Sequence, residues 1–179
     1  KMYPIPLTQV EKNFPLAAKF FKFFEDGLKA RKGFTSFDRK IHEKHFYTLQ
    51  RIGDYTFARY KVAWKYISSE FTCAVIQDVN DEFLGRKTII PNEKIIYVGL
   101  DGKAEAYYLC GLLSSTYVRN LINSFKVSTQ IAPSTISNLN LPKYDKNNEL
   151  HNSIGSLCEK GHKDLENIEN YISEIDKIL

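Results

Sequence analysis

With 179 residues, 43% of them hydrophobic, the chain is long enough to bury the core of one domain, with or without a helical appendage. Its net charge is +4, and its three widely spaced cysteines argue for reduced thiols and a cytoplasmic location. No apolar run approaches the roughly 20 residues of a membrane span, no secretory signal is visible, and the start at Lys1 leads us to expect a piece of a longer protein.

The first 45 residues carry helix signals followed by a polar segment. Thr8 and Glu11 fit a capping box, in which each side chain bonds a free amide of the first turn. Pro15 suits the first turn of the next helix, because that position has no helical hydrogen bond to donate. A stripe at helical spacing runs to a stop at Gly33, and it consists of Leu16, Phe20, Phe23, Phe24 and Leu28. Residues 35–44 are polar and charged and predict a loop.

Residues 46–100 predict a sheet. An alternating strand has one apolar face and one face with two lysines; the apolar residues are Val62, Trp64 and Tyr66, and the others are Lys61, Ala63 and Lys65. Residues 71–76 form an apolar run rich in β-formers. Gly85-Arg86-Lys87 indicates a turn, and residues 87–90 and 94–100 predict two further strands.

Helices and a hydroxyl-rich connection complete the chain. Residues 104–113 and 116–125 show helical periodicity, and Ser114 and Ser115 suit the cap between them. Residues 126–137 are rich in hydroxyls and lack a helical stripe. From residue 150 to residue 179 apolar residues step by three or four, which predicts one acidic helix of about 45 Å that needs a partner helix from the same or another chain. The predicted fold class is α+β: a mixed or antiparallel twisted β-sheet braced by helices, with a long C-terminal helix.

The sequence offers no catalytic centre. It lacks a glycine-rich loop for S-adenosylmethionine, the Asn/Asp-Pro-Pro-Tyr/Phe loop of adenine methyltransferases, a P-loop and a Gly-x-Ser-x-Gly elbow. Asp101 and Lys103 have the acid-x-Lys spacing of metal-dependent nucleases, but they flank Gly102 and we interpret them as turn residues. Two further pairs fall short of the three or four ligands of a zinc site, namely His42 with His45 and Cys158 with His162. We predict no catalytic residue, no metal and no cofactor within the chain.

Charge is unevenly distributed along the sequence. Residues 29–65 contain ten Lys and Arg against three Asp and Glu, a net charge of +7, whereas residues 145–179 contain four Lys against eight acids, a net charge of −4. The basic part suits an anionic partner, because Lys and Arg neutralise phosphates, Arg can read guanine, and hydroxyls and amides bond phosphates or bases. The candidate DNA-binding residues are Arg51, Arg59, Lys61, Lys65, Arg86, Lys87, Lys126, Ser128, Thr129, Gln130, Ser134 and Thr135.

The order of several segments is informative. They are NFPL at 13–16 with LKAR at 28–31, HFYTLQRI at 45–52, KVAWKYIS at 61–68 with FTCAVI at 71–76, IIYVGL at 95–100 with EAYYLCGLLSS at 105–115, and IAPSTISNLNLPKYD at 131–145 with NELHNSIGSLCEKGH at 148–162. In this order and spacing the chain resembles the C-terminal target-recognition domain of adenine-specific DNA methyltransferases from restriction-modification systems, both single-chain type II enzymes and phage-defence relatives. It is more distantly similar to the specificity subunits of type I enzymes.

The resemblance implies a sheet-containing domain that reads double-stranded DNA, braced by helices. We expect residues 1–144 to form this target-recognition domain and residues 145–179 to form a C-terminal helix with a coiled-coil-like seam. The resemblance also implies a parent enzyme whose N-terminal methyltransferase domain binds S-adenosylmethionine and flips out the adenine; no catalytic role carries over to this chain. The expected partners are double-stranded DNA, that N-terminal domain, and another helix docking on residues 150–179.

Two alternatives stay open on the sequence alone. The first is a helical protein–protein interaction module of a larger assembly, in which the seam of residues 150–179 docks another subunit and the basic face is incidental. The second is a nuclease fragment, in which Asp101 would be required for magnesium-dependent cleavage.

Overall fold

The chain folds into two compact units, Lys1–Gly53 and Asp54–Leu179, and the computed structural model describes residues 3–33, 35–49 and 51–179 of it. Helices account for 51% and strands for 15% of the chain, which confirms the predicted α+β class. The predicted functional boundary between residues 144 and 145 stays a prediction. Within the described ranges, no helix is both long enough and apolar enough to cross a membrane.

The first unit is helical. Its helices are α1 (Leu7–Asn13), α2 (Pro15–Phe23), α3 (Glu25–Lys29) and α4 (Ser36–Lys44). Pro15 occupies the first turn of α2 as predicted, but α1 is preceded by Pro6 without a side-chain cap, so the predicted capping box is wrong. The predicted loop at residues 35–44 is also wrong. The Thr35 hydroxyl accepts a hydrogen bond from the amide of Asp38 (3.2 Å), and this N-cap starts α4 despite its polar composition.

The predicted apolar stripe of the first unit is not a core face. The helix is interrupted at Phe24, which separates α2 from α3. Leu16 is 83% exposed and Phe23 is 80% exposed. What ties this unit together instead is Arg31, whose guanidinium donates to the carbonyls of Phe46 and Thr48, both at 2.7 Å. Because these two bonds join residues 46–48 to the end of α3, Arg31 has a structural role, and burial lowers its pKa.

A three-stranded antiparallel sheet lies in the second unit. Its strands are β1 (Tyr60–Lys65), β2 (Cys73–Gln77) and β5 (Ile95–Leu100), in the order β2-β1-β5. Two shorter strands, β3 (Val79–Asp81) and β4 (Gly85–Lys87), pair with each other as a separate antiparallel ribbon. The predicted turn at Gly85-Arg86-Lys87 is therefore a strand, and the strand predicted at residues 87–90 ends at Lys87. The true turn lies just before β4, where the Asp81 carboxylate accepts from the amides of Phe83 (2.9 Å) and Leu84 (2.8 Å).

The core forms where a central helix packs on one face of β1. Val62 and Trp64 point to that face and are 0% and 3% exposed. The helix is α5 (Lys103–Ser114), and it is followed by α6 (Thr116–Phe125) and α7 (Pro133–Ser137). The Ser115 hydroxyl accepts from the amide of Val118 (3.4 Å), so the predicted cap between α5 and α6 is confirmed. The sheet and α5 thus give the second unit a core into which one face of β1 is buried.

The C-terminal residues form two helices rather than the single helix predicted. They are α8 (Glu149–Lys163) and α9 (Ile168–Ile178), joined by a 3₁₀ turn at Leu165–Asn167. Asp164 breaks the helix: its backbone leaves helical geometry (φ −136°, ψ 74°), and its carboxylate accepts from the Tyr171 hydroxyl at 3.1 Å. Both helices contact α5, so the seam finds its partner in the same chain. Ile154 and Ile175 of the seam are buried.

Candidate nucleic-acid interface

The predicted DNA-binding residues of the second unit gather mainly at the two ends of β1. We call those at its C-terminal end the loop patch; it consists of Lys65, Lys126, Ser128, Thr129 and Gln130. We call those near its N-terminal end the ribbon patch; it consists of Arg59, Arg86 and Lys87, together with Asp78 and Asn80. The five steps of about 3.3 Å from Tyr60 to Lys65 give β1 a length of roughly 17 Å, which separates the two patches.

The loop patch is built by hydrogen bonds that dock a loop on the end of β1. The Ser68 amide donates to the Thr129 carbonyl and the Ile131 amide donates to the Tyr66 carbonyl, both at 2.8 Å. The buried Trp64 adds a bond from Nε1 to the Ile131 carbonyl at 3.1 Å. The backbone bonds pair the loop with residues 66–68, just beyond the C-terminal end of β1, so the loop is held at that end of the central strand.

The docked loop presents polar groups next to a cation. Lys65, Ser128, Thr129 and Gln130 are all exposed. Ser128 has a positive φ of 58°, which turns the chain tightly and projects the loop outward. Within the described ranges Lys65 forms no ion pair, whereas the Lys126 ammonium donates to the Ser69 carbonyl and helps to anchor the loop. The loop patch can therefore offer one unpaired cation and several hydrogen-bonding groups to an anion.

The ribbon patch surrounds one acidic residue. Asp78 Oδ2 accepts from Arg86 Nε at 2.9 Å and lies 2.8 Å from Arg86 Nη2. Burial alone would raise the pKa of Asp78, but hydrogen bonds from Arg86 and Thr88, with the charges of Arg86 and Arg59, lower it below its usual value. The Arg59 guanidinium lies over the Tyr60 ring at 5.3 Å. Arg59 and Lys87 are exposed; Arg59 lies beside the Arg86–Asp78 pair, whereas Lys87, the partner of Val79, points to the other side of the ribbon.

Lys61 does not belong to either patch. The alternating pattern predicts it on a solvent face beside Lys65, but it is only 1% exposed and its ammonium donates to the Ala58 carbonyl at 2.6 Å. The segment at residues 54–58, which contains the 3₁₀ turn Asp54–Phe57, lies against β5 at Gly99 and supplies the carbonyl that binds the ammonium. The prediction that Lys61 faces solvent and binds phosphate is wrong for that reason. Burial lowers the pKa of Lys61, and the charge of Asp78 opposes this shift.

The remaining predicted positions are more scattered. Ser134 and Thr135 lie on α7, after the loop patch in sequence. Arg51 belongs to the first unit and has a positive φ of 54°. Of the ten Lys and Arg in residues 29–65, seven precede Asp54 and so belong to the first unit. The basic segment therefore supplies the second unit with only Arg59, Lys61 and Lys65, and few of its cations lie near the strands.

The two residue pairs weighed as metal ligands are engaged in other bonds. His42 Nε2 bonds the Leu28 carbonyl at 2.9 Å. His162 Nε2 accepts from the Val75 amide and Nδ1 bonds the Cys158 carbonyl, both at 2.9 Å. These histidines act as structural links between segments.

The cysteines form a group of thiols in the core, in which Cys110 and Cys158 are buried and Cys73 is partly buried. Cys73 Sγ lies 3.7 Å from Cys110 Sγ. A hydrogen bond with Cys110 and then burial raise the pKa of Cys73 well above its usual value. A protonated, buried thiol is a poor nucleophile and a poor metal ligand, so this group fills space between β2 and α5.

Sequence reasoning missed Asp78 and Asn80 as members of the site. The sequence does carry a signal for them, which is an alternating pattern on either side of a three-residue turn. Residue 80 faces residue 86 across the ribbon, and residues 78 and 88 continue the alternation just beyond the two strands. The alternation was hidden because the glycine at 85, which has a φ of +66°, looks like the turn itself.

Comparisons with known proteins identify no family for this chain. No protein-family model matches the chain, and no curated protein matches it.

Proposed function

We propose that this chain is a sequence-specific double-stranded DNA-binding domain, which serves as the target-recognition domain of an adenine-specific DNA methyltransferase in a restriction-modification system. The parent enzyme would act in the cytoplasm, bind S-adenosylmethionine in an N-terminal methyltransferase domain, and carry out the methyl transfer there. This chain would supply recognition and no catalysis.

The observation that carries the proposal is the docked loop of the loop patch. A loop bound to Tyr66 and Ser68, directly after β1, by two backbone hydrogen bonds of 2.8 Å holds its exposed groups at defined positions next to Lys65. Hydroxyls, amides and an unpaired lysine are the groups that proteins use to contact DNA phosphates and base edges. The order of sequence segments, which resembles that of target-recognition domains, supports the same interpretation.

The spacing of the two patches suits a duplex. A separation of roughly 17 Å along β1 corresponds to about five base pairs at 3.4 Å each. Lys65 at one end, and Arg59 and Lys87 at the other, would each neutralise a phosphate, and the side chains between them would set the register. Helix α9, with three acids against one lysine, would face away from the duplex, because like charges repel.

The interaction-module alternative receives less support. Part of its predicted seam is already buried against the same chain, because Ile154, Ile172 and Ile175 are buried. Four apolar residues of the seam stay exposed, namely Leu150, Leu165, Ile168 and Leu179, with Leu165 at 69%. Two terminal leucines and the pair Leu165 and Ile168 at the bend make a smaller surface than a continuous coiled-coil seam would.

Lys65→Ala tests the proposal through the salt dependence of binding. The 179-residue chain is titrated with a labelled duplex of random sequence at several salt concentrations. Each phosphate contact contributes about 0.9 to the slope of log K against log salt, so Lys65→Ala is expected to weaken binding to all duplexes and to reduce the slope by about that amount.

Lys177→Ala is the matched control, because Lys177 is an exposed lysine on the acidic helix α9. It is expected to leave both affinity and slope unchanged. Absence of duplex binding by the wild-type chain at low salt would overturn the proposal. Equal effects of the two substitutions would remove Lys65 from the interface.

A further inference from the structure

The β3–β4 ribbon has the form of an element that enters a DNA groove. All six of its strand residues are exposed, as is Phe83 at its tip (88%). It pairs only with itself within the described residues, since the three-stranded sheet does not include it. The major groove of B-DNA is wide enough for a two-stranded ribbon.

One face of the ribbon collects the polar side chains. Asn80 and Arg86 are direct cross-strand partners and therefore point to the same side. Asp78 precedes Asn80 by two residues and lies on that side as well, as its ion pair with Arg86 requires. The opposite side carries Val79 and Lys87, which are also cross-strand partners. The ribbon thus has a face with an arginine and an amide, the two side-chain types that most often form paired hydrogen bonds with purines.

Asp78 holds the Arg86 guanidinium from the side. Nε and Nη2 both approach the same carboxylate oxygen, at 2.9 Å and 2.8 Å. The side chain of Asp78 is 14% exposed and that of Arg86 is 59% exposed, so the carboxylate lies in the ribbon while the guanidinium extends from it. Among the described residues Arg86 has no other hydrogen-bond or ion-pair partner. Its Nη1 hydrogens and the outer Nη2 hydrogen consequently face away from the ribbon.

We propose that Arg86 reads a guanine in the major groove. Its Nη1 and Nη2 groups donate to O6 and N7, while Asp78 binds the guanidinium on the Nε and Nη2 side. This inference rests on the proposed DNA-binding function and assigns one specificity-determining residue within it. Two parallel donors on one planar group match the two acceptors of a guanine edge, and no other base pair presents that pattern in the major groove.

The carboxylate also makes a phosphate a poorer ligand for Arg86. Asp78 stays ionised next to the guanidinium and would repel a phosphate, whereas a neutral base edge meets no such repulsion. Arg59 and Lys87 are not bound to a carboxylate and suit the phosphates instead. Asp78 is a positioning residue in this arrangement, since it acts only through Arg86.

The test is selection of binding sites from a pool of random duplexes, followed by sequencing, for the wild-type chain and three variants. Arg86→Lys keeps the charge but loses the planar fork, Asp78→Asn keeps the shape but loses the charge, and Lys87→Ala removes an exposed cation from the other face. Trp64 fluorescence verifies that each variant is folded.

The wild-type chain is expected to select a guanine at one position by about tenfold or more over the other bases, which corresponds to 1.4 kcal/mol or more. Arg86→Lys should abolish the preference at that position alone, and Asp78→Asn should weaken it there. Lys87→Ala should lower binding to all sequences and leave the selected motif intact.

A guanine preference that survives Arg86→Lys would overturn the assignment while leaving DNA binding in place. A uniform loss of affinity in Arg86→Lys, equal for all sequences, would place Arg86 on a phosphate and would also overturn it. Failure of the wild-type chain to bind any duplex would overturn the proposed function and this inference together.

Discussion

Gly99→Ala is expected to lower the free energy of unfolding by about 3 kcal/mol, because the added methyl group would collide with backbone. A Cβ atom at this position would lie 2.6 Å from the Tyr55 carbonyl oxygen and 2.9 Å from the Ala58 Cβ. Neither group can turn away as the end of a long side chain can, so residues 55–58 would have to move from β5. Thermal unfolding should shift down by roughly 6–12 °C.

Gly161→Ala is the control for this substitution. Gly161 is also buried in the second unit, but a Cβ there would meet its nearest neighbour, the Tyr171 ring, at 3.5 Å, an ordinary contact. Within helix α8 the change should be neutral or stabilising by up to about 1 kcal/mol. Unfolding is followed through Trp64, the only tryptophan, which is 3% exposed. Equal stability of Gly99→Ala and the wild-type chain would contradict the close packing of residues 55–58 on β5.

Lys61→Ala is expected to cost about 2 kcal/mol of folding stability and to leave the salt dependence of DNA binding unchanged. The substitution removes buried methylene groups and the donor to the Ala58 carbonyl, while relief from burying a charge offsets part of the loss. Lys65→Ala, four residues along the same strand, should do the reverse: it should reduce the slope of the salt dependence by about 0.9 and keep stability. Denaturant unfolding and salt titrations of both variants give the comparison. A reduced salt slope in Lys61→Ala would place that lysine at the DNA after all.

The pH dependence of the free energy of unfolding gives a second test of the burial of Lys61. Burial lowers its pKa in the folded chain below the ordinary value of 10.5. Between the folded and the unfolded pKa the unfolded chain binds more protons, so the contribution of this group to stability rises as the pH increases towards 10.5. Lys61→Met should remove this rise relative to the wild-type chain. Parallel stability curves for the two proteins just below pH 10.5 would contradict the burial of a charged lysine.

Elements with strong local signals could be predicted from the sequence. Helix α6 spans the predicted residues, since Ser115 provides a cap before a clear apolar stripe. Strand β5 lies within its predicted range for a comparable reason, as an apolar run follows the Pro91-Asn92 break. The hydroxyl-rich loop after α6 was also recognised as irregular, although its last residues form the short helix α7.

Features that depend on tertiary contacts could not be predicted. Alternation along β1 placed Lys61 in solvent, and only the packing of residues 54–58 against β5 explains why it is buried. The break at Asp164 was invisible because the apolar stepping continues across it, as the two helices bury their stripes in the same core. The candidate site was found in part: Lys65 and the loop residues were named, whereas Asp78 needed the ribbon pairing to reveal its contact with Arg86.

The most direct test of double-stranded DNA binding is a titration of the isotope-labelled chain with a random-sequence duplex at low salt, followed through its backbone amide resonances. The proposed interface predicts that shifts concentrate at Lys65, at residues 126–130 and along the ribbon at residues 79–87, and that they fade as salt is raised. The resonances of α8 and α9 should stay in place, since neither helix contributes a residue to the proposed interface. An unchanged spectrum, or shifts confined to α8 and α9, would contradict the account.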